Sequence, residues 1–475
     1  VGAVSPPAPP RGQGGASSLR AQLRRQPRVV PKGLSGQSLQ KGERPLDFAA
    51  VTDHASNFGG VRLCTTPGSA SYDSEACRSY RTPVSLVGRS LPEIVKEMRR
   101  IVNAGLGSPT VCGEDGGLCR VAAGDAWQET RDAAAAWNDE SPECAFTTFV
   151  AYEYTTSSDD RGNLHRNGVF QGSDKLPAIP FSRFHSQNPE GLWDWMDNLR
   201  VQGIESLAIP HNSNGSNGQM FKLVDWAGDP MDDAYAEQRI RNEPLVEITQ
   251  IKGTSETHPL LSTEDEWAGF ELMELRVATN LPSQPSGSYV RDAFLRGLSL
   301  EQQGIVNPYT FGFIGSSDTH TAATEVNEAN YVSKLGLMTA TPEQRGSVPL
   351  SALEGTVLGL LPGDQTADVD GERYSSGVRP TFGASGLAAV WAEENTRDSI
   401  YEALRRKETF ATSGPRMRLR FFAGYDFAPA MLDRVDVISA AYANGVPMGS
   451  DLLADEGRAP AFLVWALAAP GSGPL

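Results

Sequence analysis

The sequence has no run of about 18 or more apolar residues, the length that crosses a bilayer as a helix, so no membrane span is expected. It has no Cys-x-x-Cys pair, which excludes zinc-ribbon spacing. It has neither a Gly-x-Ser-x-Gly elbow nor a Walker-type phosphate loop, so acyl-enzyme and nucleoside-triphosphatase chemistry lack their signatures. Basic charge is short: 42 Lys and Arg stand against 58 Asp and Glu, a net charge of −16. Such a surface repels phosphate backbones, so no nucleic-acid partner is expected. An acidic rim favours cations instead. Histidine is scarce too, six in 475 residues, so the place of each one carries information.

The length predicts one large domain or two. With 39% hydrophobic and 21% charged residues, the chain can bury a core and remain globular. The five cysteines, Cys64, Cys77, Cys112, Cys119 and Cys144, crowd into one region. Their spacing predicts two local disulfides, Cys64 with Cys77 and Cys112 with Cys119, leaving Cys144 over. Disulfides imply export, periplasmic or secreted. The alternative is five thiols in a cytoplasmic protein.

Residues 1–40 hold six Lys or Arg and no acid, among Pro, Gly, Ser and Gln. They are expected to be disordered or foreign to the domain. After them, short apolar runs alternate with helical spacing. Strands are predicted at 48–51, 145–154, 206–210, 245–249, 311–314 and 387–393. Helices are predicted at 91–103, 122–137, 189–201, 289–300 and 396–407, the last with Thr396 as its N-cap. Residues 59–90 read as loop, and 321–385 as a long surface excursion. From Met417 an alternating pattern (Met417, Leu419, Phe421, then Phe462, Val464 and Ala466) predicts the start of a β-rich domain over 416–475. Its end just after a strand reads as a truncation. Alternating β and α units argue for a parallel sheet or barrel over 41–415.

The strands end in metal-ligand residue types. His54 follows the first, Glu153 lies in the second with His165 shortly after, His211 follows Pro210, and Asp318 and His320 follow the run at 311–314. If the chain stays extended past Ile314, Asp318 and His320 face one point, being two apart. Each residue alone is more often structural. Functional groups at several strand C-termini are the arrangement of a (β/α) barrel with its site at that rim. Imidazoles with carboxylates suit Zn, Mn or Fe. Asp53 precedes His54 directly and so points the other way; it is expected to orient a ligand. His185 is expected at the surface and His258 in a loop.

The motifs VTDH (51–54), YEY (152–154), NLHRN (163–167), AIPHN (208–212) and GSSDTH (315–320), in that order, resemble the PHP (polymerase and histidinol phosphatase) superfamily. More closely they resemble its large branch of unknown function, as do EPLVEITQIKGTSETHP (243–259) and ETFATSGPRMRLRFF (408–422). The resemblance implies a distorted TIM-like (β/α) barrel with up to three divalent ions and phosphoesterase activity. It implies the metal ligands His54, Glu153, His165, His211, Asp318 and His320. One departure is plain: the His-x-His that opens the family's barrel occurs nowhere in the sequence. The resemblance therefore implies a first strand that is lacking, in a fragment or a degenerate member. One site, of Glu153, His165 and His211, is left complete, while the site that needs His-x-His keeps Glu153 and Asp318.

The expected function is metal-dependent hydrolysis of a small phosphate ester, with Arg166 as a bidentate phosphate contact and catalytic aid, and Asn212 and Lys252 as further substrate contacts. For Arg166 a surface salt bridge is an equal alternative, and for the Asn212 loop a plain turn. The metal chemistry equally permits a sulfate or carboxylic ester. A chain with an incomplete cluster could instead bind metal or ligand without turnover. Oligomeric state is not read from the sequence.

Overall fold

The structure, a computed structural model, describes residues 46–81, 107–277, 279, 281–320, 343, 348–360, 366–375 and 386–472. The basic stretch at 1–40 and the helix expected at 91–103 lie outside them. The fold is mixed α/β, with its strands gathered in several small sheets. Contacts divide the described chain into two units. The first draws on residues up to Asp159 and on 164–208. The second draws on 160–163 and on residues from Ile209 onward.

In the first unit β1 (Phe48–Ala50) runs parallel to β2 (Thr147–Phe149), Phe48 opposite Thr147. The run expected as one strand at 145–154 breaks at Val150, and β3 (Ala151–Tyr154) follows. β3 pairs antiparallel with β4 (Arg166–Phe170), and β5 (Ser206–Pro210) completes the order β3-β4-β5.

The helices are α1 (Ala55–Thr65), α2 (Glu75–Arg81), α3 (Pro109–Cys112), α4 (Gly117–Trp137) and α5 (Pro189–Val201). α1 and α2 occupy a stretch expected to be loop. Eight of the eleven residues of α1 are buried, on all sides. A helix covered all round shows no apolar stripe, so spacing could not reveal it.

α4 buries Cys119, Ala123, Ala126, Trp127, Thr130, Ala133 and Ala134, the helical spacing of one face. α1 lies directly on it at Gly59, where a Cβ would stand 1.9 Å from the Cys119 carbonyl oxygen. Disulfides join Cys64 to Cys77 and Cys112 to Cys119, as expected, and leave Cys144 a thiol. The core of this unit is aromatic. Tyr152 meets Trp127 edge-on at 5.9 Å, stacks on Phe170 at 6.2 Å and touches Trp195 at 6.4 Å.

In the second unit β6 (Leu245–Gln250) is central. It runs parallel to β8 (Gly312–Gly315) and turns back into β7 (Gly253–Thr254). The β6–β8 register slips between Glu247 and Thr249, a bulge that re-aims the strand end. Two helices, α6 (Asp233–Asn242) and α7 (Val290–Gln302), belong here. Arg239 of α6 is buried, paired with Glu243 at 3.2 Å and lying over the Tyr309 ring at 4.9 Å.

Within the stretch expected as an irregular excursion, α8 (Ala352–Gly359) opens on a Ser351–Glu354 capping box. A hairpin, β9 (Thr366–Val369) with β10 (Glu372–Ser375), follows. β11 (Gly386–Val390) pairs antiparallel with β12 (Thr409–Ser413), and α9 (Arg397–Arg405) lies between them, capped by Thr396 as expected. The terminal sheet has the order β14-β13-β15, from β13 (Arg418–Gly424), β14 (Val446–Pro447) and β15 (Ala461–Leu467), with α10 (Val437–Asn444) between β13 and β14. Its buried positions are Phe422 and Leu463, clustered with Ala441. Phe421, Phe462 and Val464, whose alternation predicted the sheet, are on the exposed face. Apolar residues stand on both faces of this sheet, so alternation found the strands without showing which face packs.

Candidate metal centre

The first unit brings three expected ligands together by strand register. The β1–β2 alignment carries forward unchanged, so His54 forms a parallel bridge with Glu153, and the Glu153 N–H donates to the Asp53 carbonyl at 2.9 Å. β1 itself stops at Ala50; His54 is not a strand end but the N-cap position of α1. On β3, Tyr152 and Tyr154 pack into the aromatic core, Tyr154 against Phe181 at 5.8 Å. Alternation therefore sends Glu153 to the opposite face. The β3–β4 register sets Tyr154 opposite Arg166, which brings His165 in one step beyond the strand.

The result is compact. Glu153 Oε1 lies 3.0 Å from His54 Nδ1 and 2.7 Å from His165 Nδ1, and the Glu153 side chain is only 4% exposed. One ligand atom from each residue lies within 4.8 Å of the others. In a tetrahedral zinc shell, ligand atoms stand roughly 3–3.5 Å apart. His54, Glu153 and His165 could therefore hold a metal ion. The Thr155 hydroxyl donates to Glu153 Oε1 at 2.9 Å and lies 2.5 Å from His54 Nδ1. Thr155 was missed in the sequence, although it stands two residues past Glu153 and so shares its face. Burial pushes the neighbouring Tyr154 phenol well above its usual range, with the Arg166 charge opposing the shift. The Tyr154 hydroxyl donates to the Ser186 carbonyl.

The other three expected ligands lie on the second unit. His211 is buried, its Nδ1 3.7 Å from Glu247 Oε2. Asp318 forms an ion pair with Lys252, each side chain 5% exposed. His320 is exposed, its Nδ1 3.0 Å from the Asp318 carbonyl oxygen. The chain does not stay extended past Ile314: Asp318 takes a left-handed backbone, φ +45°, so the extended spacing that would aim Asp318 and His320 at one point does not hold there.

The expected substrate contacts also change. Arg166 is buried and donates to the Leu164 carbonyl at 2.6 Å, so it is no exposed phosphate fork. Lys252 is engaged by Asp318. Asn212 is fully buried at φ +56°; its N–H donates to Glu247 Oε1 at 3.2 Å, and its carbonyl accepts from Asn163. Its side-chain amide has no hydrogen-bond partner among the described residues. The loop that follows is no surface turn. Asn214 and Ser216 are buried in hydrogen bonds to Lys252, Met273, Ser255 and Ser288.

Glu247 was also missed. It is a buried carboxylate that accepts from the Asn212 N–H and the Ser316 hydroxyl. A lone acid between Val246 and Ile248 was its signal. His185 is exposed against Phe181, as expected, and His258 is tied to Glu274 at 2.7 Å.

The family model described as "Protein of unknown function (DUF3604)" matches residues 30–475. The chain belongs to this family. Comparison with curated proteins and with solved structures gave no match. For this DUF3604 chain, then, function has to be argued from the site itself. Among its described residues no helix is long and apolar enough to cross a membrane.

Proposed function

We propose that the chain is a metal-dependent hydrolase of PHP type, acting on a small phosphate ester from a centre built on His54, Glu153 and His165. The observation that carries this is the convergence of two imidazole nitrogens on one buried carboxylate oxygen, at 3.0 and 2.7 Å. Two histidines and one carboxylate are a common catalytic donor set for zinc and non-haem iron, and leave coordination positions open for water or substrate. An ion held by His54, Glu153 and His165 would supply Lewis acidity and lower the pKa of a water toward neutral.

The chain's own groups do the rest. Glu153 contributes the negative charge that selects a cation over a proton-rich pocket. The Thr155 hydroxyl fixes which carboxylate oxygen faces the histidines. Tyr152 and Tyr154, locked in the aromatic layer behind, hold the strand that carries Glu153. Asp53 anchors the Glu153 backbone through its carbonyl. The motif order supports a distorted (β/α) barrel around this centre, and the two disulfides support an exported protein.

The test is hydrolysis of chromogenic phosphate mono-, di- and triesters, with sulfate and carboxylic esters alongside, before and after chelation. Turnover of a phosphate ester that chelator abolishes and Zn, Mn or Fe restores is the expected result. Turnover indifferent to chelator contradicts the metal mechanism, and turnover of only the sulfate or carboxylic ester moves the substrate class.

A further inference from the structure

We propose that in this chain the Lys252 ammonium takes the place of a metal cation at Asp318, so that the Asp318 carboxylate is not a metal ligand. This rests on the centre proposed above only for where the metal does bind. A buried carboxylate must be neutralised or paired, and the partner present here is the Lys252 ammonium, buried to the same degree.

The ammonium is held in place from both sides of its own residue. Lys252 sits in the two-residue tip between β6 and β7, where Gln250 pairs with Gly253. Its N–H donates to Gln250 Oε1 at 3.0 Å, and its carbonyl accepts from Asn214 Nδ2 at 3.2 Å. Gly253 closes the turn at φ +92°, and a Cβ there would stand 2.5 Å from the Glu271 carbonyl oxygen. A long, flexible side chain thus starts from a fixed point.

Asp318 is set with equal care. Its left-handed backbone turns its carboxylate to Lys252, while its carbonyl oxygen lies 3.0 Å from His320 Nδ1. A chelating Asp-x-His pair needs a carboxylate and an imidazole lone pair facing one ion. Here the carboxylate faces an ammonium instead. A divalent cation at the carboxylate would stand against the ammonium at contact range, a strong repulsion in a buried setting. The nearby buried carboxylate, Glu247, is satisfied differently, by the Asn212 N–H and the Ser316 hydroxyl.

Two measurements decide it. Metal content is compared in the full chain, Glu153→Gln and Asp318→Asn. Asp318→Asn is expected to keep the parent metal-to-protein ratio while Glu153→Gln loses most of it; equal loss in both overturns the proposal. Separately, denaturant midpoints are measured in excess chelator for Lys252→Met, Asp318→Asn and the double variant. Each single variant is expected to lower the midpoint, with the double nearer the parent than the summed shifts, because removing both charges leaves neither stranded. Additive shifts overturn it. Lys252→Arg, which keeps the charge, is expected to hold the midpoint better than Lys252→Met. A parent chain without metal, or Glu153→Gln that keeps it, contradicts the His54–Glu153–His165 centre alone, and the chelator midpoints then decide the ammonium pair.

Discussion

Glu153 Oε1 takes the Thr155 hydroxyl while facing Nδ1 of both His54 and His165. Groups that orient a ligand typically change metal affinity by about 10–100-fold when removed. Thr155→Val, which keeps the shape and deletes the hydroxyl, is therefore expected to weaken metal binding by roughly that factor, and Thr155→Ser to restore most of it. Titration against a competing chelator measures both; equal affinity in Thr155→Val removes the hydroxyl from the account. Much of this centre was legible. His54, Glu153 and His165 stand beside strand-like runs and were read as ligand types there. Asp318 and His320 were legible as residue types but not as geometry, because one left-handed φ at Asp318 reverses the direction that extended spacing predicts. The Lys252 partner was hidden for a related reason. A lysine in a hairpin tip reads as exposed, and only the tertiary fold buries it.

At the scale of elements, the centre depends on α1 and β3 being held in register by what lies behind them. α1 starts at the site, and its close approach to α4 is possible because residue 59 has no Cβ. Gly59→Ala forces the helices apart and is expected to cost about 1–3 kcal/mol or more, typical of overpacking. Its denaturation midpoint should fall, with metal affinity falling too, since His54 stands at the N-cap position of that helix. An unchanged midpoint contradicts the packing described. Trp127 anchors the aromatic layer under Tyr152, and Trp127→Ala is expected to cost about 3–5 kcal/mol. By contrast, Thr396→Ala removes an N-cap far along the chain and is expected to cost about 1 kcal/mol without touching metal content. Helices with one covered face, such as α5 and α9, were legible from spacing. α1, buried on all sides, was not, and neither was the break at Val150, because a continuous apolar run says nothing about where a ladder changes partner.

For the whole molecule, the two disulfides close short loops, 13 and 7 residues apart in sequence, in the region that packs against α1 and α4. Replacing Cys64 and Cys77 together by Ala is expected to cost about 2–4 kcal/mol, as loop cross-links of this size do. Calorimetry with and without reductant checks this; a reductant-insensitive melting temperature contradicts it. The proposal of an exported protein rests on these two cross-links. The mixed α/β class was legible at this scale, since strand-like and helical stretches alternate in the sequence. The terminal sheet was legible as a sheet only, its two apolar faces giving no sign of which one packs.

The most direct measurement is elemental analysis of the purified chain beside His165→Ala and Glu153→Gln. The account predicts Zn, Mn or Fe bound to the parent and lost from both variants. A parent chain free of metal after purification and unable to take it up on dialysis, or variants that retain the parent's metal content, would contradict the centre assigned to His54, Glu153 and His165.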